Sequence, residues 1–186
     1  LTTISLVQGS ALGGGFEAAL SANVLIAERS AIFGFPEIIF NLFAGMGAYN
    51  LLSRRIDPAR ADRMMRSGQQ YSAAELYEMG LVDVLAEDGE GVLAVNEYIG
   101  RANRSRNGLL ALRQVRQRLF PITYRELEDI VSIWVEAALR LTERDLRTME
   151  RLVSAQQKLS AQTPPAAVPS KNVEVEEEYI PIAGAA

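Results

Sequence analysis

The run Gly13-Gly14-Gly15, set between an apolar segment and Phe16-Glu17-Ala18-Ala19-Leu20, restricts the fold of this chain more than any other stretch. Three successive glycines put no Cβ in the way of a sharp reversal and let another part of the chain come close to the backbone. The preceding residues 2–8, with Thr2, Thr3, Ile4 and Val7, are rich in branched side chains and read as a strand. Residues 9–15 read as a tight turn and 15–22 as a short helix. Backbone N–H groups at a helix start have no carbonyl of their own to reach and favour negative charge. Glu17 sits in that first turn.

A second carboxylate follows a second turn. In Phe33-Gly34-Phe35-Pro36-Glu37, a short strand read over 31–34 is stopped by Pro36, and Glu37 comes next. Two carboxylates held rigidly beside turns can divide a proton transfer, one taking and one giving, when their surroundings push their pKa values apart. Addition and removal of water is chemistry of that kind. A glutamate in a helix's first turn is also favoured by the helix dipole alone, so the pairing with Glu37 carries the catalytic reading.

Composition removes the competing chemistries. There is no cysteine and no histidine among the 186 residues, so disulfides, thiolate nucleophiles, Ser-His-Asp triads and thiolate or imidazole metal sites are excluded for this chain, and no metal is expected. Acids and bases must come from Asp, Glu, Lys, Tyr or the backbone. The glycine spacing does not fit a dinucleotide fingerprint, and no Gly-Lys-Ser/Thr follows for a nucleoside triphosphate. What remains is a row of N–H groups facing a charge such as a thioester enolate.

With 48% hydrophobic residues and a mean hydropathy of +0.04, the chain reads as globular, long enough for one core with or without a helical appendage. No apolar run approaches a membrane span and no segment reads as a signal peptide, so a cytoplasmic location is the expectation. A net charge of −4 leaves no electrostatic footprint for nucleic acid. The basic residues concentrate at Arg101, Arg104, Arg106, Arg113, Arg116 and Arg118, read as a solvated helix face, with a landing patch for an acidic carrier protein or a phosphate-bearing tail as the alternative.

Further along, Asn23 to Ala27 reads as a buried strand, and Gly45-Met46-Gly47 precedes a helix through Leu51 and Leu52. Asp57 caps a helix with Pro58 at its first position. Ser72-Ala73-Ala74-Glu75 is a capping box for a helix over 72–79 that ends at Gly80 and feeds a strand over 81–85. From Val92 to about Ser160 the pattern is helical. One helix over 124–141 turns Leu127, Ile130, Val131, Trp134, Ala138 and Leu141 to one side. A helix opened by Thr142 and Asp145 turns Leu146, Met149, Leu152 and Val153 inward. Residues 161–186 read as a disordered tail. A strand so close to Leu1 leads to the expectation that its preceding neighbours lie outside this sequence, which would then be the later part of a longer protein.

Residues 9–17, 33–37, 45–47 and the stretch from Met65 to Val82 resemble the crotonase, or enoyl-CoA hydratase/isomerase, superfamily in both order and spacing. Within it, Phe16-Glu17-Ala18-Ala19-Leu20, residues 43–49, Ile133-Trp134-Val135 and residues 146–153 are similar to the bacterial synthases of diffusible signal factors, which are cis-2-unsaturated fatty acids of quorum sensing.

The resemblance implies an α/β crotonase-like spiral of ββα units in a partial core over 1–91, with a helical C-terminal region over 92–160 that builds trimers or larger assemblies. It implies Glu17 and Glu37 as catalytic carboxylates, dehydrating a 3-hydroxyacyl group on acyl carrier protein and then hydrolysing the thioester. Gly14 would supply an N–H to the oxyanion hole, the other donor coming from the family's first half. Leu12, Gly13, Met46, Trp134 and Leu152 would bind the acyl chain. No cofactor is implied beyond the phosphopantetheine or coenzyme A that carries the substrate. Ala44 departs from the proline usual before Gly-Met-Gly. The alternatives are an enoyl-CoA hydratase or isomerase, and a non-catalytic scaffold that binds a sensor protein through its helices.

Overall fold

Val-Leu-Ile-Ala-Glu at Val24–Glu28 is buried along its whole length, so this strand must be covered on both faces. The computed structural model, which describes residues 2–162, satisfies that need by alternating the chain between two sheets. Strands β1 (Ile4–Val7), β3 (Val24–Glu28) and β6 (Val84–Ala86) form one sheet in the order β1-β3-β6, all parallel. Strands β2 (Ser10–Leu12), β4 (Ile32–Gly34) and β5 (Gln70–Ser72) form the other, with β2 parallel and β5 antiparallel to β4. β1 enters the first sheet and β2 the second, and α1 (Gly14–Ser21) leads back to β3 in the first and β4 in the second. This is the expected ββα spiral.

Two expectations about strands need correction. Residues 9–15 are not turn alone, because Ser10–Leu12 pairs with Ile32–Gly34. The strand expected over 81–85 begins only at Val84; Leu81 and Val82 are instead core residues in the bend before it. β5 lies where the sequence pattern gives no strand signal.

The helices follow their caps. α2 spans Ala48–Leu52 and α3 spans Pro58–Ser67, where Asp57 accepts the Arg60 N–H at 3.0 Å. α4 (Ala73–Glu78) starts at the reciprocal Ser72–Glu75 box, and Gly80 takes a left-handed φ of 77°. α5 (Gly91–Arg104), α6 (Arg106–Leu119), α7 (Tyr124–Ala138) and α8 (Glu143–Gln162) follow. Thr142 and Asp145 cap α8 reciprocally. Not all the residues expected to face inward do so: Val131, Leu146 and Val153 are exposed, while Leu127, Ile130, Trp134, Met149 and Leu152 are half-buried. The tail read from Ala161 falls, beyond Gln162, outside the described residues.

Phe16, on α1, is buried in the core against β4 and the residues that follow it. Its ring lies 5.1 Å from that of Phe33 and stacks on Phe35 at 4.8 Å, and all three are buried. Such aromatic pairs add about 0.5–1.5 kcal/mol each beyond the area they bury. Phe16 adjoins Glu17 and Phe35 lies two residues before Glu37, so the same stack fixes both turns.

At the other end of α1, the half-buried Arg55 donates to the carbonyls of Leu20 and Ala22 at 3.0 and 2.5 Å. A cation there meets the negative end of the helix. The buried Glu28 serves the first sheet, accepting from Gln8 Nε2 at 2.9 Å and Gly91 N–H at 3.0 Å.

Candidate active site

The glycine run ends β2 and begins α1. Gly13 has φ 56° and ψ −125°, a backbone that suits glycine alone, and its N–H donates to Gly34 O at 2.9 Å. Its carbonyl accepts the N–H groups of Phe16 and Glu17. Gly14 opens the helix, so its N–H has no intrahelical carbonyl to reach. Glu17, one turn later, is 4% exposed.

Glu17 faces the backbone of the Gly45-Met46-Gly47 turn. Its Oε1 accepts the Met46 N–H at 2.7 Å and the Ala48 N–H at 3.1 Å. Gly47, with φ 109°, makes the reversal that brings both amides to one oxygen. Burial raises the Glu17 carboxyl above its ordinary pKa, and the two amide bonds pull back in the other direction.

Glu37 comes from a 3-10 turn, Pro36–Phe40, with Pro36 at its start and Asn41 in a left-handed conformation at its end. One carboxylate oxygen, Oε1, occupies the space that a Cβ on Gly13 would need. The other, Oε2, is buried and has no hydrogen-bond partner among the described residues. Burial pushes the Glu37 carboxyl up to about 7, and the charge of Glu17 adds to the rise. The two carboxylates therefore sense one another across the glycine run.

The other residues singled out by sequence lie at varying distance from this pair. Leu12 is half-buried at the end of β2, paired with Gly34. Met46 is 69% exposed, yet its methyl lies over Gly14, 3.1 Å from where a Cβ would be. Trp134 lies directly over Gly45, whose Cβ would collide with its ring. Leu152 is half-buried on α8, the helix packed against the 3-10 turn of Glu37. What the sequence pattern did not reveal is the part played by Met46 N–H and Ala48 N–H, because a backbone donor leaves no residue-type signal.

The basic cluster divides. Arg113 and Arg116 line a cavity of about 580 Å³ between the end of α1, α2 and α6, together with Arg54 and Arg55. Arg101, Arg104, Arg106 and Arg118 are solvated. Arg54 and Arg116 there are occupied, by Glu126 at 2.7 Å and by the Arg54 carbonyl at 3.1 Å. Among the described residues, no group of three or more acidic side chains is placed to hold a metal, and no helix is long and apolar enough to cross a membrane.

Comparison with known proteins places these features in context. The family model described as enoyl-CoA hydratase/isomerase matches residues 1–119. The cyclohexa-1,5-dienecarbonyl-CoA hydratase of Thauera aromatica is 36% identical over 132 residues, 70% of this chain and 50% of that protein. A probable enoyl-CoA hydratase of Mycobacterium bovis is 45% identical over 80 residues, 43% of this chain and 31% of its own. Among solved structures, a carnitinyl-CoA hydratase from Mycobacterium avium superposes with a TM-score of 0.68 at 26% identity, over 84% of this chain and 60% of that one. The chain thus spans half or less of the length of these two sequence relatives.

Proposed function

The chain belongs to the enoyl-CoA hydratase/isomerase family, and from that premise we propose that Glu17 and Glu37 exchange water with the double bond of a 2-enoyl thioester, interconverting it with the 3-hydroxyacyl thioester. One observation carries this reading: at a single helix start, a carboxylate held by two amides stands beside a second whose carboxyl titrates near neutrality.

In the dehydrating direction, a carboxylate takes the α-proton and the bonding electrons move toward the thioester carbonyl. The N–H of Gly14 meets the negative oxygen, in the manner of an oxyanion hole. The electrons then return to form the Cα–Cβ double bond as the C–O bond at Cβ breaks, and a carboxylic acid protonates the departing hydroxyl to water. Glu37 is assigned the acid, since near pH 7 both its protonation states are populated. Glu17 is assigned the base, because two amide donors favour its anion. The orphaned Glu37 Oε2 supports this as well, as a buried polar atom that a substrate oxygen or water would pair with. Leu12, Gly13, Met46, Trp134 and Leu152 are assigned to the acyl side.

The names of the relatives favour coenzyme A as carrier over acyl carrier protein. The signal-factor synthase reading, with acyl carrier protein and thioester hydrolysis, rests on the motifs at 16–20, 43–49, 133–135 and 146–153 and stands second. Exposed Tyr124 and Ile133 on α7, with Leu139 just after its end, support self-association as a homotrimer or larger. The test is to offer a 3-hydroxyacyl group on coenzyme A and on acyl carrier protein and identify the products by mass spectrometry. The first reading predicts enoyl-CoA with its thioester intact. Free fatty acid from the carrier-protein substrate, with coenzyme A thioesters untouched, would replace it with the second.

A further inference from the structure

Helix α7 meets the turn that holds Glu17 at two points and the helix that follows that turn at a third. Trp134 covers Gly45, and Leu127, two turns earlier on the same face, lies 3.7 Å from where a Cβ on Gly47 would be. The two glycines flank Met46, whose N–H holds Glu17. At the start of α7, Glu126 uses both its oxygens on α2 and the residues just after it. Its Oε1 accepts from Asn50 Nδ2 at 2.5 Å and its Oε2 from Arg54 at 2.7 Å.

Asn50 is 2% exposed and its Oδ1 has no partner among the described residues, so its amide is turned toward Glu126 at the expense of a buried acceptor. Burial by itself would raise the Glu126 carboxyl, but the bonds from Asn50 and Arg54 hold it below the ordinary glutamate range. Glu126 is thus a charged clamp, and its own backbone is fixed by the Thr123 cap at 3.1 Å.

We propose that α7 is a brace that sets the position of the Glu17 carboxylate, with Glu126 as its positioning residue. Glu126 fixes α2, whose first N–H, that of Ala48, is one of the two donors to Glu17. Leu127 and Trp134 press on the glycines either side of the other donor. Glu126 acts through these amides and touches no reacting atom. The inference rests on reading Glu17 as a proton-transfer group.

Loosening the brace lengthens the two amide bonds, which in the intact protein offset part of the effect of burial, so the Glu17 carboxyl should titrate higher still. The charged groups facing this region are Glu37 from the 3-10 turn, Arg54 following α2 and Glu126 itself. The test is a carbon-13 NMR titration of side-chain carboxyls in the protein and its E126A and E126Q variants, with E17Q supplying the assignment, alongside turnover of a 2-enoyl-CoA.

E126A should raise the Glu17 midpoint by at least about half a unit. It should also lower kcat roughly tenfold to a hundredfold, the scale of a small misplacement, with KM held within about twofold. E126Q, which keeps an acceptor for Asn50 but loses the ion pair with Arg54, should shift the midpoint in the same direction by less, and it serves alone if E126A does not fold. A folded variant that is less stable but has its Glu17 midpoint unmoved would overturn the proposal and leave Glu126 a purely structural residue. Full turnover by E17Q would instead defeat the reading of Glu17 while leaving the NMR comparison intact.

Discussion

Glu37 places a carboxylate oxygen in the volume that a side chain on Gly13 would fill. Gly13 is therefore glycine for two independent reasons, its left-handed φ of 56° and this contact. Gly13→Ala should cost about 1–3 kcal/mol in backbone strain alone, and should move Glu37 off the glycine run. Turnover is expected to fall by at least about a hundredfold, the scale of a lost acid–base group, with a circular dichroism spectrum close to that of the parent. An alanine variant with parental turnover would show that the contact does not position Glu37.

The raised pKa of Glu37 fixes the sign of a pH effect. The folded carboxyl titrates at about 7 against an ordinary 4.5, so between those values the native state holds the extra proton. Stability from this group is fully present below pH 4.5 and is lost as pH rises toward 7, with a limiting slope of about 1.4 kcal/mol per pH unit. Glu37→Gln lacks that slope. Denaturant titrations from pH 4.5 to 8 should show the variant gaining on the parent up to about pH 7, beyond which the gap between them stays constant. A gap that is constant over the whole range would contradict the shift.

Arg55 supports α1 from the end opposite to Glu17. Its removal strips a charged donor from the carbonyls of Leu20 and Ala22. Arg55→Ala should lose about 1.5–3 kcal/mol, the range for hydrogen bonds to charged groups, and Arg55→Lys should fall between. Thermal denaturation checks this, and a variant as stable as the parent would remove Arg55 from the account of how α1 is held.

Caps and turns were readable from sequence because each is a local device: Asp57 with Pro58, Ser72 with Glu75, Gly80, and Thr142 with Asp145 act within a few residues. β2 and β5 were not, because Ser10-Ala11-Leu12 and Gln70-Tyr71-Ser72 carry no run of branched apolar residues and exist through Gly34, which pairs with Leu12 on one side and Gln70 on the other. Val131, Leu146 and Val153 fit the apolar spacing of their helices yet point to solvent. Periodicity identifies a face but not what covers it. At the candidate site, Glu17 and Glu37 stood out through their glycine and proline turns. Asn50, Arg54 and Glu126 did not, since a polar clamp between elements more than seventy residues apart in sequence has no local pattern.

The most direct test of the central claim is the initial rate of hydration of a short 2-enoyl-CoA, followed through loss of its conjugated absorbance, in the protein and in its Glu17→Gln and Glu37→Gln variants. The account predicts turnover by the parent and a fall of at least about a hundredfold in each variant, the low end of what a positioned acid or base contributes. Near-parental hydration by either variant would contradict it, because the two-carboxylate mechanism gives each proton transfer to one of these two side chains.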